Sequence, residues 1–61
     1  MKKDLEMIAA METFGGSFVK ALANAMVHAD PNNYTKLVVA FSNYVSEYRK
    51  MAKDLKQNKH E

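Results

Sequence analysis

The sequence predicts an all-α fold, an α-helical hairpin of two long helices that associates with further copies into a helical bundle. Three observations support this prediction. Apolar residues recur at alternating spacings of three and four in both halves of the chain, which is the period of an amphipathic helix. One Asp30-Pro31 step separates the halves, and it is a typical helix start. The chain has 61 residues and no cysteine, so its own core is small and no disulfide supports it.

The first half of the chain allows two interpretations. Its apolar stripe passes through Gly15-Gly16 without losing phase, which favours one long helix from about Asp4 to His28, although each glycine costs ~1 kcal/mol inside a helix. The glycines would then let another backbone approach closely. The alternative is a short first helix, a bend at the two glycines and a new helix capped by Ser17. The stripe consists of Met7, Met11, Phe14, Phe18, Ala21, Ala25 and His28, broadened by Ile8 and Leu22.

The second half predicts one amphipathic helix from Pro31 to about Lys56. Its apolar face is wider than a single partner helix would cover. Ser42-Asn43 is its weakest point, where a kink or short break would occur. We predict a single helical domain over residues 1–56 and a frayed C-terminal tail over residues 57–61. The apolar face consists of Tyr34, Val38, Phe41, Val45, Tyr48, Ala52 and Leu55, widened by Leu37, Tyr44 and Met51.

The width of these stripes predicts self-association. Two helices alone leave part of each stripe in water, and pairing two hairpins into a bundle would cover it. The tyrosine, phenylalanine and methionine content is also typical of an interface. We therefore predict a homo-oligomer, a dimer or larger, with parallel or antiparallel pairing left open. The predicted interface comprises Phe14, Phe18, Leu22, Tyr34, Phe41, Tyr44 and Val45.

The chemistry of the side chains argues against an enzyme. No two carboxylates stand three or four residues apart and no Glu-x-x-His occurs, so neither paired-carboxylate catalysis nor a di-metal site is expected. The two histidines are His28 and His60, and His28 is expected to cap the end of a helix. We predict no catalytic residue, no metal and no cofactor.

The net charge of +2 is too small to imply a nucleic-acid partner. Five cations nevertheless follow residue 48, an arrangement typical of a helix C-terminus. A nucleic-acid-binding module that uses Lys50, Lys53 and Lys56 is the alternative function. No apolar run exceeds five residues and the N-terminus does not resemble a signal peptide, so we expect a cytoplasmic protein without membrane contact.

One stretch suggests a ligand site. If a helix starts at Ser17, the backbone N–H groups of Gly15, Gly16 and Ser17 would face an anion, with Lys20 one turn further on. The spacing matches neither the P-loop nor the dinucleotide fingerprint, and a close helix crossing is the competing explanation. Tyr48 and Arg49 are candidates to stack on a base, although tyrosines at helical spacing more often line a core or interface. The predicted ligand is a phosphorylated molecule, such as a signalling nucleotide, held between subunits.

A longer pattern covers most of residues 12–48 and consists of Glu12–Ala23 (ETFGGSFVKALA), Ala29–Asn33, Lys36-Leu37, Ala40-Phe41 and Tyr48. In this pattern the chain resembles a group of small helical proteins encoded by bacteriophages and prophages. Proteins of that group carry proline after the Ala-Phe pair, where this chain has Ser42. The resemblance implies a short accessory protein in a bacterial host cytoplasm. Such a protein acts without catalysis, by stoichiometric binding of a host protein or of a small signal molecule.

Overall fold

A computed structural model describes residues 3–58, and in this part of the chain every regular element is a helix, which confirms the all-α class. The elements are α1 (Leu5–Phe14), α2 (Ser17–His28), α3 (Pro31–Ala40) and α4 (Ser42–Asn58). Helix α1 packs against α2 and α4, and α3 packs against the same two helices. The four helices therefore enclose one common core.

The chain bends at Gly15-Gly16, so the long first helix that we favoured is wrong and the alternative with a bend is confirmed. Both glycines are extended, with ψ of 157° at Gly15 and −172° at Gly16. The bend lets α2 fold back on α1, and this contact outweighs the few backbone hydrogen bonds of a continuous helix. Ser17 does not cap α2 as that alternative proposed, because Gly16 occupies the N-cap position and provides no side-chain hydrogen bond.

The bend also changes which side of α2 faces the core. A continuous helix would have buried the stripe of Phe18, Ala21, Ala25 and His28, and these four residues are exposed. The two non-helical residues change the rotation of α2 about its own axis relative to α1. A second apolar side of α2 therefore faces the core. The buried residues of α2 are Val19, Leu22, Ala23 and Met26.

The predicted second helix is interrupted at Phe41, directly before the predicted weak point at Ser42-Asn43. Phe41 has φ −116° and ψ 40°, outside the helical region. Its N–H donates to the Leu37 carbonyl oxygen at 2.9 Å, and its carbonyl oxygen accepts from the Val45 N–H at 3.0 Å. The backbone is thus hydrogen-bonded on both sides of the break. Helix α4 continues to Asn58, and the rest of the predicted tail, residues 59–61, lies outside the described residues.

Two aspartates fix helix starts. The Asp30 carboxylate accepts from the Asn33 N–H at 2.8 Å, which confirms the predicted start at Pro31. The Asp4 carboxylate accepts from the Met7 N–H at 3.0 Å and caps α1 in the same way. The Asp4 N–H in turn donates to the Tyr34 hydroxyl at 3.1 Å. This bond connects the start of α1 to α3.

Three methionines and one tyrosine fill the centre of the core. Tyr34, Met7, Met11 and Met26 are its largest fully buried side chains. Flexible methionine side chains fill the irregular spaces between short helices that meet at several angles. Because both predicted long helices are broken, four short helices cover much of the apolar surface that two straight helices would leave in water. Eleven residues form the buried core: Met7, Ile8, Ala10, Met11, Val19, Leu22, Ala23, Met26, Tyr34, Val45 and Tyr48.

Candidate functional site: an exposed aromatic face

Three aromatic rings from separate parts of the chain meet at the surface. Phe18 lies in the first turn of α2, Phe41 at the break between α3 and α4, and Tyr44 in the first turn of α4. The Phe18 ring centroid lies 5.8 Å from that of Phe41, edge to face, and 5.7 Å from that of Tyr44. The centroids of Phe41 and Tyr44 lie 6.3 Å apart. All three distances are within the range of favourable aromatic pairs.

These rings remain in contact with solvent. Phe18 is 53% exposed in spite of its two ring contacts, and Phe41 and Tyr44 are only partly buried. Ala21 and Ala25 are exposed three and seven residues after Phe18, so they continue along the same side of α2. We call these five residues the aromatic face. It is an apolar surface formed where the two breaks in the chain come together.

The predicted interface residues divide between this surface and the core. Phe18, Phe41 and Tyr44 are brought together in the aromatic face, and Phe14 is 53% exposed at the end of α1. The remaining three have their side chains in the core of the chain itself. These buried residues are Leu22, Tyr34 and Val45.

The predicted ligand residues are not brought into one site. Tyr48 is only 7% exposed, and Arg49 Nε donates to Asp4 Oδ2 at 3.2 Å. Asp4 precedes α1 and Gly15 follows it, so about 15 Å of helix separates this ion pair from the glycines. Gly15 is itself buried.

The other half of the predicted ligand site remains at the surface. Gly16, Ser17 and Lys20 are exposed at the N-terminal end of α2. They lie there without Tyr48 and Arg49, the two side chains that were expected to stack on a base. The residues predicted to bind the anion therefore lie at one end of α1, and those predicted to stack on the base lie at the other.

The C-terminal end of α2 is occupied by two basic side chains. Lys3 Nζ donates to the Val27 carbonyl oxygen at 2.6 Å, and His28 Nδ1 lies 2.9 Å from the Asn24 carbonyl oxygen. The Lys3 cation complements the helix dipole, and the His28 ring lies against the last turn of α2, as expected for a residue that caps the helix end. The contribution of Lys3 was not predicted, because Lys3 is far from Val27 in the sequence and reaches it only when α2 folds back on α1. Within residues 3–58 no three His, Cys, Asp or Glu side chains cluster in a way that would hold a metal ion.

The C-terminal part of α4 combines basic and apolar residues. Lys50 and Lys53 are exposed, and Leu55 is 41% exposed although it continues the stripe of Tyr48 and the partly buried Met51. The side chain of Lys56, the third predicted nucleic-acid contact, lies outside the described part of the chain. None of the helices among the described residues is long and apolar enough to cross a membrane.

Comparison of the chain with protein-family models, with curated proteins and with solved structures gave no match.

Proposed function

We propose that this chain is a non-enzymatic, self-associating helical binding protein that inhibits or modulates a bacterial host factor by stoichiometric binding. The aromatic face is the observation that carries the self-association in this proposal. Phe18, Phe41 and Tyr44 pack against one another and still remain at the surface. Aromatic residues are enriched in the centres of protein interfaces, where their large apolar area is removed from water. The phage-type resemblance provides the context of a bacterial host cytoplasm.

A host protein is a better candidate for the target than a phosphorylated small molecule. A nucleotide held between subunits would have used Tyr48 and Arg49, but the first is buried and the second is paired with Asp4. We propose that self-association uses the aromatic face and that the host protein contacts the C-terminal part of α4. The exposed Lys50 and Lys53, which lie three residues apart on one side of α4, suit a partner with an acidic surface.

The test is co-purification from a bacterial cytoplasm followed by native mass spectrometry. We expect the tagged chain to retain one host protein in a fixed integer ratio. Lys53→Glu should abolish this complex, whereas the same charge reversal at the exposed Lys36 of α3 should leave it intact. Circular dichroism confirms that both variants are folded. Equal retention by both variants, or no fixed-ratio complex with the unaltered chain, would show that the α4 proposal is wrong.

Nucleic-acid binding is the second candidate function, because Lys50 and Lys53 are exposed on one helix. This candidate predicts DNA or RNA affinity that falls steeply as salt rises, since each phosphate contact releases counterions. Fluorescence anisotropy with a labelled duplex and a labelled single strand measures this dependence. Absence of binding in low salt eliminates the candidate. Salt-sensitive binding that Lys53→Glu abolishes and Lys36→Glu preserves would replace the host-protein proposal.

A further inference from the structure

Helix α2 is apolar on two sides, and only one of them is covered. Val19, Leu22 and Met26 face the core, whereas Phe18, Ala21 and Ala25 lie on the exposed side. The polar residues of α2 occupy the remaining side of the helix: Ser17, Lys20, Asn24 and His28. A helix that is apolar around most of its circumference is normally enclosed by further structure. Within residues 3–58 the rings of Phe41 and Tyr44 contact this side at Phe18, and Phe18, Ala21 and Ala25 still remain exposed.

We propose that a second copy of the chain covers it, with the two α2 helices antiparallel and Ala21 close to the two-fold axis. This inference rests on the proposed self-association and specifies its geometry. An interface between two identical copies related by a two-fold axis must be complementary to itself. A bulky side chain at one end of the face must therefore meet a small one at the other end.

The spacing of the exposed residues meets this requirement. Phe18 lies three residues before Ala21, and Ala25 lies four residues after it. Antiparallel pairing about an axis midway between Ala21 and Leu22 places Phe18 of each copy against the partner's Ala25, so large and small residues alternate across the contact. Because Ala21 has a small side chain, the two helix backbones can approach closely at the axis. The rings of Phe41 and Tyr44 extend the contact beside Phe18.

The area of the face is sufficient for a specific but weak dimer. Half of Phe18, smaller parts of the other two rings and the two alanines expose roughly 300 Å² per copy. Apolar atoms make up about 57% of a typical interface, so both copies together would bury about 1,050 Å². This value is just above the ~1,000 Å² that a specific interface normally needs. We therefore expect a concentration-dependent dimer.

Cysteine cross-linking tests the geometry directly. The chain contains no cysteine, so Ala21→Cys introduces a single thiol that can pair only with another copy. Residues at a two-fold axis lie within the short Cα–Cα distance that a disulfide requires. Val39→Cys is the matched control, because Val39 is 70% exposed on a side of α3 away from the aromatic face. Sedimentation velocity of the unaltered chain and of Phe18→Glu gives the association state independently.

We expect Ala21→Cys to form the disulfide-linked dimer roughly tenfold or more faster than Val39→Cys, because thiols held together have millimolar effective concentrations. We also expect Phe18→Glu to be a folded monomer. If the unaltered chain dimerises but Ala21→Cys reacts no faster than the control, this geometry is wrong and self-association stands. If the unaltered chain stays monomeric at its highest soluble concentration, both are wrong, and the host-protein contact at α4 is still judged separately by co-purification.

Discussion

Replacing Gly15 with alanine should destabilise the fold, whereas the same replacement at Gly16 should have little effect. A methyl group on Gly15 would lie 2.5 Å from the Met11 carbonyl oxygen and 2.7 Å from Val19 Cβ, and closer still to a methyl group of Val19. Around Gly16 no atom lies within 4 Å of the same position. Both glycines have ordinary negative φ, −78° and −76°, so close packing and not an unusual backbone conformation requires glycine at position 15.

The expected loss of stability depends on which atoms must move to make room for the added methyl group. Overpacking a tight site costs typically about 1–3 kcal/mol, and a backbone carbonyl cannot shift alone, so we expect about 2–3 kcal/mol for Gly15→Ala. A domain of this size has only ~3–5 kcal/mol of stability, so most of it would be lost. At Gly16 the entropy gained by restricting the unfolded chain, about 0.4–1 kcal/mol, is offset by alanine's poorer N-capping.

Urea unfolding followed by circular dichroism at equal protein concentration measures both variants. We expect a much lower midpoint for Gly15→Ala and a similar slope, since the surface exposed on unfolding is unchanged. A continuous first helix makes the opposite prediction: each alanine would stabilise it by about 1 kcal/mol, because glycine is the poorer helix former. Stabilisation of both variants would therefore refute the bend and the packing of Val19 against Gly15.

Five further substitutions, at four positions, test the second break and the hydrogen bonds at the helix starts. Ser42→Pro should cost less than Ser46→Pro, because Ser42 begins α4 and proline suits the first helical position. Ser46→Pro inside α4 should cost about 3 kcal/mol and largely unfold the chain, as seen by circular dichroism. Tyr34→Phe should lower the free energy of unfolding by about 1 kcal/mol because the Asp4 N–H loses its acceptor, and an unchanged Tm would contradict this. Asp30→Ala should lower the free energy of unfolding by about 1 kcal/mol, whereas Asp30→Asn retains the cap. Equal urea midpoints for the two variants would show that the cap contributes nothing.

Helix class and helix starts were predictable because they depend on local chemistry. The three-and-four spacing is a property of the helix itself, and it survives wherever the chain breaks. Asp30 caps the helix that begins at Pro31 by accepting from an N–H only three residues along the chain. Such a local contact can be recognised in the sequence. Ser42-Asn43 was also identified as a weak point for a local reason, the poor helix propensity of serine and asparagine.

The bend at Gly15-Gly16 was harder to predict because α2 carries two apolar sides. The stripe that includes Phe18 continues the phase of α1, and this continuity favoured a single helix. The side that includes Val19 and Met26 has the same helical spacing and forms the core after a bend. Periodicity cannot decide between two faces that share a period. Tertiary packing of α2 on α1 determines which of the two sides is buried, and no short stretch of the sequence indicates this packing.

The candidate site was predicted in its members but not in its arrangement. Phe18, Phe41 and Tyr44 were assigned to an interface from aromatic content and stripe position. These three rings come together only because the chain is broken twice, at Gly15-Gly16 and at Phe41. The same breaks turn Leu22 and Tyr34 inward, so a prediction based on unbroken helices assigned core residues to the surface.

The size of the core explains why aromatic rings are left outside it. Four short helices enclose eleven buried residues, and Tyr34 with three methionines already fills the centre. Placing Phe18 inside as well would require another layer of helix, which a chain of 61 residues does not supply. Its ring contacts with Phe41 and Tyr44 cover only one half of the side chain. In the proposed dimer the second α2 would provide the missing layer, because it would bring Ala25, a residue small enough to accept the ring, to the other half.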